Sequence, residues 1–185
     1  MNFANMQDQP SLIIINGTFF FSKEEQKDIK EELGKAKIKL FLLEQRGIQN
    51  SIFSGIEIIL NNSLLNLFIG GIIMPTLYEY LKKVIQITIN KVQEGKVRQV
   101  TLKGATIPNV ILKIPTKKGE IIASIDKNLS EKELDLYLEA LVKAANSIDN
   151  NENYNAIYRV IDKNSDGSLL ILTLNEYLKR HHKIM

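Results

Sequence analysis

The sequence contains no cysteine, and this absence excludes several kinds of chemistry. The chain can form neither a disulfide nor a thiolate metal site, and it has no cysteine nucleophile. Such a composition fits a reducing compartment, so we expect a cytoplasmic protein. The N-terminal residues lack a basic start, and Asp8 and Pro10 precede only a short apolar run. We therefore predict no signal peptide.

Histidine is almost as scarce as cysteine. The two histidines, His181 and His182, lie within the stretch KRHHKIM, where we expect a tail and not a positioned general base. The sequence contains no phosphate-binding glycine loop, dinucleotide-binding turn, nucleophile elbow or HExxH zinc motif. We therefore predict no catalytic residues, no bound cofactor and no enzymatic activity.

A single stretch, DKNSDG, has the spacing of metal ligands. Asp162, Asn164 and Asp166 match the first, third and fifth ligand positions of an EF-hand calcium loop, which this stretch resembles. The twelfth position holds Thr173 where the loop requires a bidentate glutamate. The flanking segments have the apolar and β-branched composition of strands. We predict a polar turn between two strands, with a weak cation site as the alternative.

Basic residues are concentrated in the middle of the chain. Residues 79–118 carry nine Lys and Arg against two Asp and Glu, whereas the whole chain has a net charge of only +3. Lys82 and Lys83 belong to this block, which can face phosphates, anionic headgroups or solvent. The block has no aromatic residue from Lys82 to Lys118, so it lacks the stacking platforms of nucleic-acid-binding surfaces. We expect no nucleic-acid partner.

Local patterns predict strands and helices within this block and on both sides of it. Ser22 and Ser130 each precede a glutamate by three residues, which is the capping-box spacing at a helix start. Gly34 is predicted to cap the end of the first of these helices. Alternating apolar residues predict strands at residues 12–16, 38–42, 97–104, 109–116, 119–126, 156–161 and 168–174.

The most unusual segment is residues 58–78, which contains 21 residues without a charge. As a helix it would be ~31 Å long, close to the hydrocarbon thickness of a bilayer. Asparagines interrupt it, and a break is expected between Gly70 and Pro75, so we predict two consecutive helices. Gly70 and Gly71 lack side chains and permit the close approach of another backbone. With Pro75, Lys82 and Lys83, they are the candidate packing or interaction residues.

Together these patterns predict an α+β fold, with an antiparallel or mixed sheet, helices packed on it and a long, broken hydrophobic helical segment in the middle. We predict one domain over residues 1–185, with an internal split near residue 96 as the alternative. The expected function is a non-catalytic interaction or regulatory module that binds a protein partner or forms a homo-oligomer. Abundant Ile, Lys and Asn indicate a bacterial or phage source. The alternative function is a membrane anchor or membrane-perturbing effector that inserts residues 58–78.

Overall fold

The computed structural model describes residues 9–15, 21–44, 55–61, 63–64, 67, 75–94, 99–101, 104–116, 119–125, 129–149 and 157–181. The β-strands in chain order are β1 (Ser11–Ile15), β2 (Lys39–Leu43), β3 (Gly55–Leu60), β4 (Gln99–Thr101), β5 (Gly104–Thr106), β6 (Asn109–Thr116), β7 (Gly119–Ile125), β8 (Ile157–Lys163) and β9 (Leu169–Thr173). The α-helices are α1 (Lys23–Lys35), α2 (Pro75–Gln93), α3 (Glu131–Asp149) and α4 (Leu174–His181). These elements confirm the predicted α+β class.

Seven of the described strands form one mixed sheet in the order β2-β1-β3-β6-β7-β8-β9. The pairs β1–β2, β3–β6 and β7–β8 are parallel, and the pairs β1–β3, β6–β7 and β8–β9 are antiparallel. Strands β4 and β5 form a separate two-stranded antiparallel ribbon. The sheet is therefore mixed, one of the two arrangements that the sequence predicts.

The main core lies on one side of this sheet, which we call the first face. Its strand residues alternate along the sequence and are fully buried, as at Leu12, Ile58, Leu112 and Ile121. Helices α1, α2 and α3 cover this face with apolar side chains at helical spacing. The opposite side, the second face, carries the intervening residues of the same strands. The alternation along each strand thus places one set of its residues beneath the three helices.

Helix α1 begins as predicted but ends differently. The Ser22 hydroxyl accepts a hydrogen bond from the Glu25 backbone N–H, and the Glu25 carboxylate accepts one from the Ser22 N–H, which completes the capping box. The prediction that Gly34 caps the end is wrong, because the helix continues through Gly34 to Lys35. Lys37 adopts the positive φ of 58° at this end. The chain therefore turns three residues after the glycine.

The predicted long helical segment is wrong at its start. Residues 58–60 belong to β3, a central strand of the sheet, and their β-branched composition suits a strand buried on both faces. Asn61 follows, and its buried side-chain oxygen accepts hydrogen bonds from the backbone N–H groups of Ser11 and Leu64, at 2.9 Å each. Its amide nitrogen donates to the Gln9 carbonyl. The amide thus joins β1 to the end of β3.

Two further helices frame the C-terminal half. Helix α3 begins with the predicted capping box, in which the Ser130 hydroxyl and the Glu133 carboxylate exchange hydrogen bonds with each other's backbone N–H groups. Helix α4 was not predicted: it begins at Leu174, the last residue of a predicted strand, and extends into the stretch from residue 179 that was expected to form a tail. The division near residue 96 stays a prediction; β3 and β6, which lie on either side of that position in the sequence, are adjacent strands of one sheet.

Candidate interaction surface

The calcium-like stretch forms the turn of the β8–β9 hairpin, as predicted. Asp162 lies in β8, and its carboxylate oxygen is 3.1 Å from the Arg180 Nε and 3.0 Å from the His181 Nε2. The side-chain oxygen of Asn164 accepts a hydrogen bond from the Arg180 guanidinium. Two of the three ligand-like residues therefore face cationic or imidazole groups of α4.

The third ligand-like residue stabilises the turn itself. The Asp166 carboxylate accepts hydrogen bonds from the hydroxyl and the backbone N–H of Ser168, at 2.6 and 2.9 Å. These bonds hold the pKa of Asp166 below its usual range. Gly167 has a φ of 86°, the left-handed conformation that favours glycine. Within the described residues, no group of three or more His, Asp or Glu is arranged to hold a metal ion.

Helix α4 lies on the second face of the sheet, near its β8–β9 end. Leu174 and Tyr177 pack against a small cluster of Ile111, Ile122 and Val160. Burial raises the pKa of Tyr177, and the Asp162 carboxylate adds to this effect. The Tyr177 ring also contacts the His181 imidazole, with 4.4 Å between ring centroids. A short helix is thus attached by a few apolar side chains and by the polar group at Asp162.

Lys82, a predicted interaction residue, is used to join two helices. Its Nζ donates to the Asp135 carboxylate of α3 at 3.0 Å, and the Tyr78 hydroxyl donates to the same carboxylate at 2.8 Å. The side chain of Lys82 is only 13% exposed. The Asp135 carboxylate raises the pKa of Lys82. Burial opposes ionisation of Asp135, but the bonds from Lys82 and Tyr78 outweigh it, so the pKa of Asp135 is lowered.

Lys83 is exposed and lies beside a groove between α1 and α2 of about 460 Å³. Ile29, Val84 and Ile87 provide its apolar lining. An ion pair between Glu25 and Lys91 bridges the two helices at this groove, and the hydrogen bond from Lys91 lowers the pKa of Glu25. The structure therefore separates Lys82, which is paired, from Lys83, which faces solvent.

Pro75 is the first residue of α2, which agrees with the predicted restart of the helix at this position. Gly70 and Gly71 lie outside the described residues. In the part of the chain that the structure describes, no helix has the length and apolar character needed to cross a membrane. The segment proposed for membrane insertion also begins with three residues of β3, which are committed to the sheet.

An ion pair that was not predicted lies in the middle of the sheet. The Lys113 Nζ of β6 is 2.7 Å from the Glu57 carboxylate of β3, and the two side chains are only 14% and 11% exposed. Both residues alternate with first-face residues, so the pair belongs to the second face. Neither residue carried a spacing signal in the sequence, because their partnership depends on the parallel pairing of β3 with β6.

The outer edge of β9 has an exposed apolar character. In the described part of the chain, β9 pairs with β8 on one side and with no strand on the other. Its sequence, LLILT, contains no charge and no proline, and Ile171 at its centre is 40% exposed. The pairing with β8 continues without a bulge from Leu169 to Thr173. Natural edge strands usually carry a charge, a proline or a bulge that prevents further pairing.

Helix α3 packs beside this edge and carries the exposed Leu136. Glu133 of α3 accepts a hydrogen bond from Lys163, whose register partner in β9 is Leu169. Leu136 lies three residues after Glu133, and Ile171 lies two residues after Leu169. Leu136 is 44% exposed and, being three residues from Glu133, it shares that side of the helix. We call Ile171, Leu136 and the outer backbone of β9 the edge surface.

The chain matches no protein-family model, no curated protein sequence and no solved structure. Two surfaces of the described residues offer apolar side chains to a partner, the groove beside Lys83 and the edge surface.

The sequence also contains a helix-start signal for α4, the helix that follows β9. Thr173 and Glu176 have the same capping-box spacing as the serine–glutamate pairs. In the structure the Glu176 carboxylate accepts from the Thr173 N–H at 2.7 Å, and the Thr173 hydroxyl accepts from the Glu176 N–H at 3.2 Å. These bonds lower the pKa of Glu176. The two residues end the strand and begin α4.

Proposed function

We propose that this protein is a non-catalytic interaction module, a small subunit or adaptor, that binds a protein partner by extending its sheet at β9. The observation that carries the proposal is the uncharged edge of β9 with Ile171 exposed at its centre. An edge strand presents backbone N–H and C=O groups that can pair with another strand. The exposed isoleucine adds apolar area that such a partner would bury.

Strand addition assigns separate roles to the backbone and the side chains. Main-chain hydrogen bonds supply affinity, and pockets for alternate side chains supply specificity. Ile171 points to the first face, because its register partner in β8 is Ile161, a residue of the main core. Leu136 is exposed on α3, one of the helices that cover this face. The incoming strand would therefore place one apolar side chain between α3 and Ile171.

The charged side chains support a non-catalytic role, because their observed use is structural. The described ion pairs between elements connect α1 with α2, α2 with α3, β3 with β6, α3 with β8, and α4 with β8. For each carboxylate with a lowered pKa, the hydrogen bond that lowers it most lies at a helix cap, in the β8–β9 turn or within one of these ion pairs. A cytoplasmic location and a bacterial or phage source remain expectations from composition.

Site-specific photo-crosslinking tests this proposal. A photoreactive amino acid replaces Ile171 in cells that naturally express the protein, and the matched control replaces Tyr158. Tyr158 is 47% exposed and lies on β8 at a second-face position, away from the edge surface. We expect a discrete crosslinked product from position 171 and none from position 158.

A second measurement ties any product to the edge surface. The captured partner is purified and titrated against the wild-type chain and against Leu136→Lys, which places a charge in the proposed contact. We expect at least about tenfold weaker binding for Leu136→Lys, since a buried leucine contributes more than one factor of ten. Equal binding, or no product at position 171, contradicts the proposal.

A further inference from the structure

We infer that the partner strand is β9 of a second copy of this chain, so that two seven-stranded sheets join into one across a twofold axis at Ile171. This inference rests on the proposed function, because it names the partner for the same edge surface. A twofold interface uses one patch twice and must be complementary to itself. The edge of β9 meets this condition through its side chains.

The antiparallel register centred on Ile171 produces no unfavourable pair. Ile171 faces Ile171 of the partner copy, and Leu170 faces Leu172. Leu169 faces Thr173 at the ends of the pairing, where the Thr173 N–H already donates to the Glu176 carboxylate and forms no bond between the copies. Each position is apolar or carries a hydroxyl, and none is charged. Cross-strand apolar pairs stabilise a sheet, whereas like charges directly opposite each other destabilise it. A charged or proline-containing edge could not pair with itself in this way.

The twofold axis also places the helices favourably. An axis perpendicular to the sheet leaves the first face of both copies on the same side. Leu136 of each copy then flanks the paired strands from that side, and Ile171 of each copy lies between them. Two of the three large apolar side chains that are exposed in the described structure would be covered by one contact.

The area that a stable contact must bury indicates that Leu136 is part of it. A stable interface commonly buries about 1,200–2,000 Å², which is more than five paired residues of each strand supply. The proposed contact therefore includes α3, whose large exposed apolar residue is Leu136. The net charge of +3 over 185 residues is small, so repulsion between copies does not oppose this association.

The test uses the fact that a residue on the twofold axis faces its own copy. Sedimentation velocity of the full chain is measured from low to high micromolar concentration for the wild type, Ile171→Lys and Ile171→Glu. We expect the wild type to form dimers. Each variant alone should remain monomeric, because identical charges face each other, whereas an equal mixture of the two should form the mixed dimer.

Two controls separate loss of contact from loss of folding. Tyr158→Lys introduces the same charge at an exposed second-face position and should leave the dimer unchanged. Circular dichroism and thermal melting should show that both Ile171 variants are folded, since Ile171 is exposed at the edge. Leu136→Ala should weaken the dimer by about tenfold or more.

The outcomes distinguish this inference from the proposed function. A wild-type chain that stays monomeric throughout, or an Ile171→Lys variant that still forms dimers, overturns the twofold contact. Failure of the Lys and Glu variants to form a mixed dimer overturns the register centred on Ile171. If the wild type is monomeric but position 171 crosslinks to another protein, the interaction module stands and its partner is not a second copy.

Discussion

The two faces of the sheet are stabilised by different means. On the first face, three long helices bury a continuous set of aliphatic side chains. On the second face, the described contacts are a small apolar cluster under α4, the Glu57–Lys113 ion pair and the polar group around Asp162. Neighbouring residues such as Leu112 and Lys113 belong to opposite faces, so one strand contributes to both kinds of interaction.

The stability of the two faces therefore depends on the strand sequence to different degrees. Aliphatic burial is nondirectional and tolerates many sequences of similar volume. Polar pairs require defined partners at defined distances, and a lost partner leaves a group unsatisfied. Conservative substitutions on the first face should therefore change the free energy of unfolding little. Substitutions that leave a cavity there should lower it. The second face should respond to the loss of single polar partners.

The largest effect should come from a cavity in the first face. Leu112 is fully buried in β6, and Leu112→Ala should lower the free energy of unfolding by about 3–4 kcal/mol through lost burial and an unfilled cavity. Urea denaturation measures this change. Leu112→Met preserves the volume and should cost less than about 1.5 kcal/mol. Similar losses for both variants would contradict close packing around Leu112.

A somewhat smaller loss should follow from breaking the ion pair on the second face. Lys113→Met leaves the Glu57 carboxylate largely buried without its partner and should cost about 2–3 kcal/mol, less than full burial would give. The control is Lys113→Met combined with Glu57→Gln, which removes the unpaired charge and should recover part of the loss. A double variant that is less stable than Lys113→Met would contradict this account.

The polar group beneath α4 should make a modest contribution. Asp162→Asn removes the carboxylate that faces Arg180 and His181, and it should cost about 0.5–1 kcal/mol because both partners are well exposed. Calorimetric titration should show no micromolar calcium binding by the wild type or by this variant. Calcium binding to the wild type that Asp162→Asn abolishes would establish the cation site instead of the turn.

Gly34 tests where α1 ends. A Cβ at this position would meet nothing within 4 Å, and the residue lies within the helix. Gly34→Ala should therefore stabilise the protein by about 0.5–1 kcal/mol, because alanine has the higher helix propensity. Thermal melting measures the shift. A lower melting temperature would restore the prediction that this glycine caps the helix.

The smallest effect should be a loss of stability at low pH, where Glu133 becomes protonated. Hydrogen bonds from Lys163 and Ser130 lower the pKa of Glu133 from its ordinary value of 4.5 to about 2. The stabilisation is therefore present above pH 4.5 and is lost as the pH falls towards 2. Glu133→Gln should melt with a weaker pH dependence in this range. A curve parallel to the wild-type curve would exclude a contribution from this carboxylate.

The sequence predicted elements with local signals and missed those that depend on distant partners. The capping boxes at Ser22 and Ser130 were recognised, because three residues contain the whole motif. Residues 58–60 were assigned to a helix, because a strand buried on both faces has no alternation to distinguish it from a buried helix. The apolar edge at Ile171 was not identified, because the position of β9 in the sheet is set by pairings across the whole chain.

Gly55 has a consequence for the rate at which this sheet assembles. A Cβ on Gly55 would lie 2.2 Å from the Asn109 carbonyl oxygen, so the backbones of β3 and β6 meet closely where residues more than 50 positions apart are joined. The neighbouring β6–β7 hairpin closes over only two residues and can form in microseconds. Bringing β3 to it requires closure of a long chain segment before any pairing is gained. We therefore expect the search for this parallel pairing to limit folding, and Gly55→Ala should slow the step that joins the two halves of the sheet.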